Sequence, residues 1–358
     1  MINLLIINST LQRSGVTNVI YNLCKFLDKS KVSITIITLS QEPKDSRKSD
    51  FESLGVKVAC FNKSRLFGMV VGYKKMFKVF LLNNPQHVVH TFSYRGTSLA
   101  AKYLKKTKRV VTLEANLKDN YVDTYGKMIG NYIASKELDG FKRANCKVVC
   151  SQTLLNHYHY LNPDLVIQNG ADETVFHAVS ETEKQTLREK NNLPLEKKIF
   201  ISVGSLITRK DPQTIINAFL LANLPNSILL FLGNGPLNLN IHNKENVIFK
   251  GNVPNVDEYL KCADVFVSAS HSEGLPNTVL EAALSGLTCI VSDIPQHHDV
   301  FYASKNSDVY FFPLKDEKKL CQLFVDVIPN KIKYNCQTAT EMAKQYLDCY
   351  IKLLDKTA

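Results

Sequence analysis

Short apolar runs alternate with stretches of helical period along almost the whole chain. The run Ile2–Asn8 predicts a first strand. After the loop Leu11-Gln12-Arg13-Ser14-Gly15, the apolar residues Val16, Val19, Ile20, Leu23, Phe26 and Leu27 keep the i, i+3, i+4, i+7 spacing of a helix, and Ser33–Leu39 reads as the next strand. Further strands are expected at Val56–Phe61, His87–Phe92, Arg109–Leu113, Lys147–Ser151 and Leu165–Gln168. The turn Asn169-Gly170-Ala171-Asp172 and a polar stretch to about Lys198 separate these from a second series. That series comprises Ile199–Val203, Ser227–Leu232, Val247–Lys250, Asp264–Ser268, Thr288–Ser292 and Val309–Phe312. Strands alternating with helices are the pattern of parallel sheets wound by crossover connections. The expected class is therefore α/β, with the boundary between positions 168 and 195.

Length agrees with that division, since 358 residues exceed what one ordinary core organises. The expected domains are 1–170 and 171–337, each a doubly wound sheet covered by helices. A last helix in 338–358, set off by Pro329-Asn330-Lys331, is expected to cross back onto the first domain.

Charge sharpens the contrast between the halves. Residues 1–170 carry 25 Lys+Arg against 11 Asp+Glu, leaving 19 and 22 for the remainder of a chain whose net charge is +11. A basic first half attracts a polyanion, either nucleic acid or an anionic membrane leaflet. Segment 61–82 mixes Lys and Arg with Phe67, Val70, Val71, Phe77, Phe80 and Leu81 at helical spacing, and Lys102, Lys105, Lys106, Lys108 and Arg109 follow. The first domain is thus a candidate for the inner membrane face; alternatively, those apolar residues pack under the sheet. No apolar stretch is long enough to span a bilayer, and Met1 leads directly into the first strand, so a cytoplasmic location is expected. The nine cysteines, without a C-x-x-C pair, read as small buried hydrophobes.

The most informative stretch is Ser270-His271-Ser272-Glu273-Gly274-Leu275-Pro276-Asn277-Thr278-Val279-Leu280-Glu281, running on to Gly286. It opens just past a strand, places Pro276 where a first helical turn accepts proline, and ends on a glycine suited to a helix carboxyl terminus. A helix amino terminus thereby sits at the carboxyl edge of a parallel sheet, where α/β folds bind phosphates. Glu273 in the loop and Glu281 inside the helix stand roughly 10 Å apart at ~1.5 Å rise per residue, suiting them to hydroxyl pairs at two ends of one ligand.

Two glutamates in this setting resemble the signature of family 4 retaining glycosyltransferases of the bacterial polysaccharide-assembly type, which have the GT-B fold. Ser202-Val203-Gly204-Ser205-Leu206-Ile207-Thr208-Arg209-Lys210 resembles that family's phosphate loop, and Phe231-Leu232-Gly233-Asn234-Gly235-Pro236 its Gly-x-Gly-Pro strand end. The stretch Val253-Pro254 to Ala263-Asp264-Val265 is similar to its approach to the glutamates. The resemblance implies two Rossmann-like domains with an interdomain cleft, 1–170 binding the acceptor and 171–337 the nucleotide sugar. It implies that Glu281 holds the ribose, Glu273 meets the donor sugar and Lys210 neutralises the leaving diphosphate. Where the family carries a further arginine this chain has Ser205, and Arg209 is the candidate substitute. Donor binding is expected at Gly15, Gly204, Ser205, Gly233, Gly235, Asn252, Val253, Gly274, Leu275, Pro276 and Glu281. Glu114 stands where many members have histidine, and it joins His90, Arg209, Lys210 and Glu273 as a catalytic candidate; for His90 the alternative is a hydrogen-bonded structural histidine.

The implied reaction moves a sugar from a UDP- or GDP-sugar to a lipid-linked or saccharide acceptor in surface polysaccharide synthesis, with retention. No Asp-x-Asp pair follows a strand, so no metal and no cofactor are expected. A nucleotide-sugar epimerase of the same architecture is the alternative enzyme, since a phosphorylase needs a much longer chain. A basic nucleic-acid-binding protein is the alternative of another class, but no helix-turn-helix, RNA-recognition or zinc pattern supports a nucleic acid partner.

Overall fold

The computed structural model describes residues 1–63, 73–239, 245–302 and 309–355. Strands β1 Ile2–Asn8, β2 Val32–Thr38, β3 Lys57–Cys60, β4 Val88–Thr91, β5 Lys108–Leu113, β6 Cys146–Val149 and β7 Leu165–Val166 form one sheet in the order β3-β2-β1-β4-β5-β6-β7. Strands β8 Lys198–Val203, β9 Ser227–Leu232, β10 Val247–Gly251, β11 Val265–Ser268, β12 Thr288–Ser292 and β13 Val309–Phe312 form another in the order β10-β9-β8-β11-β12-β13. The pairings are parallel, as crossover connections require. Because both faces are covered by helices, the central strands are apolar on both sides: Leu4 to Ile7 of β1 and Ile199 to Ile201 of β8 have no exposed surface.

The chain divides into two units, Met1–Gly170 with Ala339–Ala358, and Ala171–Thr338. In the first, one core lies beneath helix Gly15–Phe26 and the last helix, Ala339–Asp355, where Val19, Leu23, Met342, Tyr346 and Tyr350 pack on Leu4, Ile6, Val88 and Val110. On the opposite face, helix Tyr73–Asn83 places Tyr73 and Phe77 on Leu5, Ile7 and Val89. In the second, helices Pro212–Ala222 and Glu317–Asp326 bury Phe219 and Phe324 against Phe200, Leu229 and Val265.

Strands agree with the sequence expectation to about a residue at most ends. The exceptions are β6, expected to reach Ser151 but ending at Val149, and β7, expected to reach Gln168, of which only Leu165 and Val166 pair with β6. Arg109, counted above with the surface lysines, is buried, and its Nη2 donates to the Arg143 carbonyl (2.6 Å), so it supplies no surface charge. Phe77 joins the core, whereas Phe67, Val70 and Val71 lie outside the described residues. Among the described residues no helix is long and apolar enough to cross a membrane.

Candidate active site

Both sheets change winding direction once, the first between β1 and β4, the second between β8 and β11. At such a switch point the two following loops diverge and leave a crevice at the strands' carboxyl ends. In the second unit those loops are 204–211 and 269–276. Two glycines let the chain pass itself there. Gly233 has φ 125°, and a Cβ on it would stand 2.0 Å from the Gly204 carbonyl; on Gly235, a Cβ would meet the Leu206 carbonyl at 2.1 Å. Only the absence of a side chain allows these approaches.

The two loops are joined by charge. Arg209 Nη1 donates to Glu273 Oε2 (2.9 Å) and to the Ser272 carbonyl (2.6 Å), while Lys210 Nζ donates to Glu273 Oε1 (2.5 Å). The Glu273 side chain is only 8% exposed. Burial alone would raise its pKa, but Lys210 and then Arg209 outweigh burial and hold the carboxyl at about 2. Glu273 is thus a fixed anion across physiological pH, able to accept but not to donate a proton.

Two residues not singled out in the sequence complete the junction. Asp211 caps helix Pro212–Ala222, accepting from the Thr214 N–H and hydroxyl (3.3 and 2.7 Å), and also pairs with His271 Nε2 (2.9 Å). The His271 N–H donates to the Arg209 carbonyl (2.8 Å), so the loop after β8 and the loop after β11 are fastened at two levels. Asp211-Pro212 is a recognisable helix start; the partner of Asp211, 60 positions away, has no local signal. His297 lies behind the cluster, fully buried and fixed by the Ser292 carbonyl (2.7 Å from Nδ1), with its pKa pushed down to about 4 by burial.

Past Glu273, Gly274, Leu275 and Pro276 are buried and lead into helix Asn277–Leu284, whose amino terminus opens at the same crevice. Glu281 is half-buried on that helix; burial first, and Asp257 second, push its carboxyl up to about 8. A carboxyl held this way gains from a ligand that donates hydrogen bonds to it. A Cβ on Gly204 would stand 3.7 Å from the Lys210 Cε, and Ser205 is exposed beside it. Asn252 is exposed and Val253 half-buried on the loop after β10. Among the described residues, no group of three or more His, Cys, Asp or Glu side chains is arranged to hold a metal ion.

In the first unit, Gly15 is exposed at the start of helix Gly15–Phe26, where the Ser14 hydroxyl accepts from the Thr17 N–H (3.2 Å). Glu114 follows β5 with its Oε2 accepting from Asn169 Nδ2 (2.8 Å). Burial pushes its carboxyl up to about 7, against the opposing hydrogen bonds of Asn169 and Cys150. The catalytic expectation for His90 is corrected: its ring is completely buried, with Nδ1 2.7 Å from the Tyr350 hydroxyl and Nε2 2.8 Å from the Thr112 hydroxyl. Burial pushes its pKa down to about 3. With both nitrogens engaged beneath the last helix, His90 is a structural residue.

Comparison with known proteins agrees with this geometry. The family description for glycosyl transferases group 1 matches residues 183–338, and that for glycosyltransferase family 4 matches 13–175. The chain is similar to TuaC of Bacillus subtilis (strain 168), named as a teichuronic acid biosynthesis glycosyltransferase: 31% identity over 166 residues, 43% of this chain and 41% of that protein. It is also similar to a UDP-Gal:alpha-D-GlcNAc-diphosphoundecaprenol alpha-1,3-galactosyltransferase of Escherichia coli, 29% identical over 180 residues, 47% of this chain and 46% of that one. The chain spans about half the length of these curated relatives in the match. In fold, it resembles sucrose-phosphate synthase from Thermosynechococcus elongatus, with a TM-score of 0.80 over 99% of this chain and 100% of that one at 16% identity. The two Rossmann-like units are those of the GT-B fold.

Proposed function

The chain belongs to glycosyltransferase family 4, and from that premise we propose that it transfers a sugar from a UDP- or GDP-sugar, with retention and without a metal ion, to a lipid-linked or saccharide acceptor in surface polysaccharide assembly. The observation that carries this reading is the Arg209–Glu273–Lys210 cluster at the β8/β11 switch point, beside the amino terminus of helix Asn277–Leu284.

In this reading the arriving diphosphate takes hydrogen bonds from Arg209, Lys210 and the helix-terminal N–H groups, and Glu273, released in part, accepts from the donor-sugar hydroxyls. Two fixed cations and a helix terminus meet the charge that develops on the leaving phosphate, which is the role preorganised donors perform best. Glu281 accepts from the ribose hydroxyls. Glu273 is unsuited to acid catalysis, since its carboxyl stays ionised, so the acceptor's proton passes to the departing phosphate oxygen on the face that the nucleotide leaves.

The first unit presents the acceptor, with Glu114 as the group nearest in role to the family's histidine. Its basic surface supports docking on the anionic inner leaflet. Helix Tyr73–Asn83 exposes Lys74, Lys75 and Lys78 beside Val79 and Leu82. The first turns of helix Lys127–Lys142, which follows helix Leu117–Tyr125, expose Met128 (88%), Ile129 and Tyr132 close to Lys127 and Lys136. Such apolar and cationic mixtures suit a headgroup boundary.

A thermal-shift screen of UDP, GDP, ADP and their sugars tests the donor. A ligand at 100 times its Kd adds about 2.7 kcal/mol of stability, and no shift with any of them would end the reading. Transfer is expected to persist in excess EDTA and to yield a product of the donor's anomeric configuration by NMR. Conversion of the nucleotide sugar with no acceptor present would favour the epimerase instead. In vesicle flotation, anionic lipid is expected to carry the protein and neutral lipid to leave it behind.

A further inference from the structure

Two thiols from opposite ends of the first unit's sequence meet beneath its last helix. Cys146 opens β6 and Cys349 lies in helix Ala339–Asp355, and their Sγ atoms share a hydrogen bond at 3.4 Å across 203 positions of sequence. Both belong to the first unit's core, yet neither is sealed, with 7% and 5% exposure. They line a cavity of about 530 Å³ together with Asn145, Asp164, Leu165 and Lys352. That volume admits small solutes, so the pair is reachable from solvent without unfolding.

We propose that Cys146 and Cys349 form a dithiol modification site that small hydroperoxides convert to a disulfide, tying the last helix to the first sheet. The Sγ atoms need close only to about 2.0 Å, a shift that side-chain rotation and a small helix adjustment supply. Cys349 keeps its proton, since the hydrogen bond to Cys146 and burial together push its pKa well up. Cys146, the more exposed of the two at 7% against 5%, is assigned as the attacking thiol. Its sulfur, after releasing a proton, attacks one oxygen of hydrogen peroxide; the O–O bond breaks, one water departs, and Cys146 becomes a sulfenic acid. Cys349 then attacks that sulfur, giving up its own proton as the second water leaves. The two sulfurs lose two electrons, peroxide gains them, and the sum is two thiols plus hydrogen peroxide to one disulfide plus two waters.

The consequence is mechanical. The helix carrying Cys349 supplies Met342, Tyr346 and Tyr350 to the first core, and the chain reaches it directly from the second unit at Thr338. A covalent bond there closes a long loop and removes entropy from the unfolded chain, holding in place the element that seals His90.

The test is peroxide treatment of the folded full-length protein, alkylation of the remaining thiols, and peptide mapping. The expected result is a Cys146–Cys349 linked peptide with the loss of two hydrogens, and an unfolding temperature that rises on oxidation and returns with dithiothreitol. Cys349→Ser is expected to accumulate a dimedone-reactive sulfenic acid at Cys146, and Cys146→Ser to give no linked peptide. If either variant folds poorly, the wild-type map decides alone. Both thiols still alkylated after treatment that fully oxidises glutathione in the same solution, or a disulfide mapped to other cysteines, would overturn the proposal. A linked pair with unchanged melting would overturn the tie.

Discussion

The two switch points make the same topological crevice but close it with different chemistry. At β1/β4 the bridge is neutral: Ser93 Oγ donates to Asn8 Oδ1 (3.1 Å), and Arg95 behind it is spent on the Ser40 and Tyr73 hydroxyls. At β8/β11 the bridge is an anion held between two cations. The contrast teaches where negative charge is to be met. A phosphate finds counter-charge already gathered at the second crevice, whereas the first offers neutral hydroxyl and amide groups, a set matched to uncharged hydroxyls.

Breaking the charged bridge is the largest test. Lys210→Ala is expected to lower kcat by about 10²–10³-fold, the usual cost of removing one preorganised donor. Glu273→Ala should lower kcat comparably while leaving nucleoside diphosphate affinity equal or tighter, because Arg209 and Lys210 are then free for phosphate. Steady-state kinetics paired with calorimetry separates the two; equal losses in binding and turnover for Glu273→Ala would contradict the assignment.

Glu114 gives the next effect, as a change of stability with pH. Its carboxyl stands at about 7 in the folded state against 4.5 ordinarily, so between those values the folded chain holds a proton that the unfolded chain lacks. Stability is fully retained below about 4.5 and falls as pH rises through 7. Glu114→Gln should therefore exceed the parent by on the order of 2 kcal/mol at pH 8 and be close to it at pH 4.5, a difference read by denaturant titration. Equal gains at both values would mean that the carboxyl is not raised.

Smaller changes sharpen the comparison. Glu281→Ala is expected to weaken nucleotide binding about tenfold, or roughly 1.4 kcal/mol, with kcat nearly kept. Ser93→Ala, which removes only a neutral and partly exposed hydrogen bond, should cost about 1 kcal/mol or less of stability. A fall in kcat for Ser93→Ala as large as that of Lys210→Ala would erase the distinction between the two crevices.

Much of this was legible before any coordinates. Strands β9, β12 and β13 have the expected ends, because apolar runs bounded by turn residues leave little choice of register. The Glu273 to Glu281 stretch was readable because its parts are contiguous: loop, helix start and helix face follow one another in the chain. Asp211 and His271 were not, since their pairing depends on β8 and β11 becoming neighbours. His90 lies within β4, but its fate is set by Tyr350, which lies 260 positions away.

What the sequence by itself determined is the order of strands and helices, the caps and glycines that turn the chain, and the presence of two carboxylates beside a helix start. All of these rest on interactions within a few residues. Tertiary structure alone decided which carboxyl is pinned as an anion and which are pushed toward neutrality, which histidine is sealed, and which thiols touch. The reason is physical: desolvation and ion pairing act through space, between groups that only the assembled sheets bring within a few ångströms of one another.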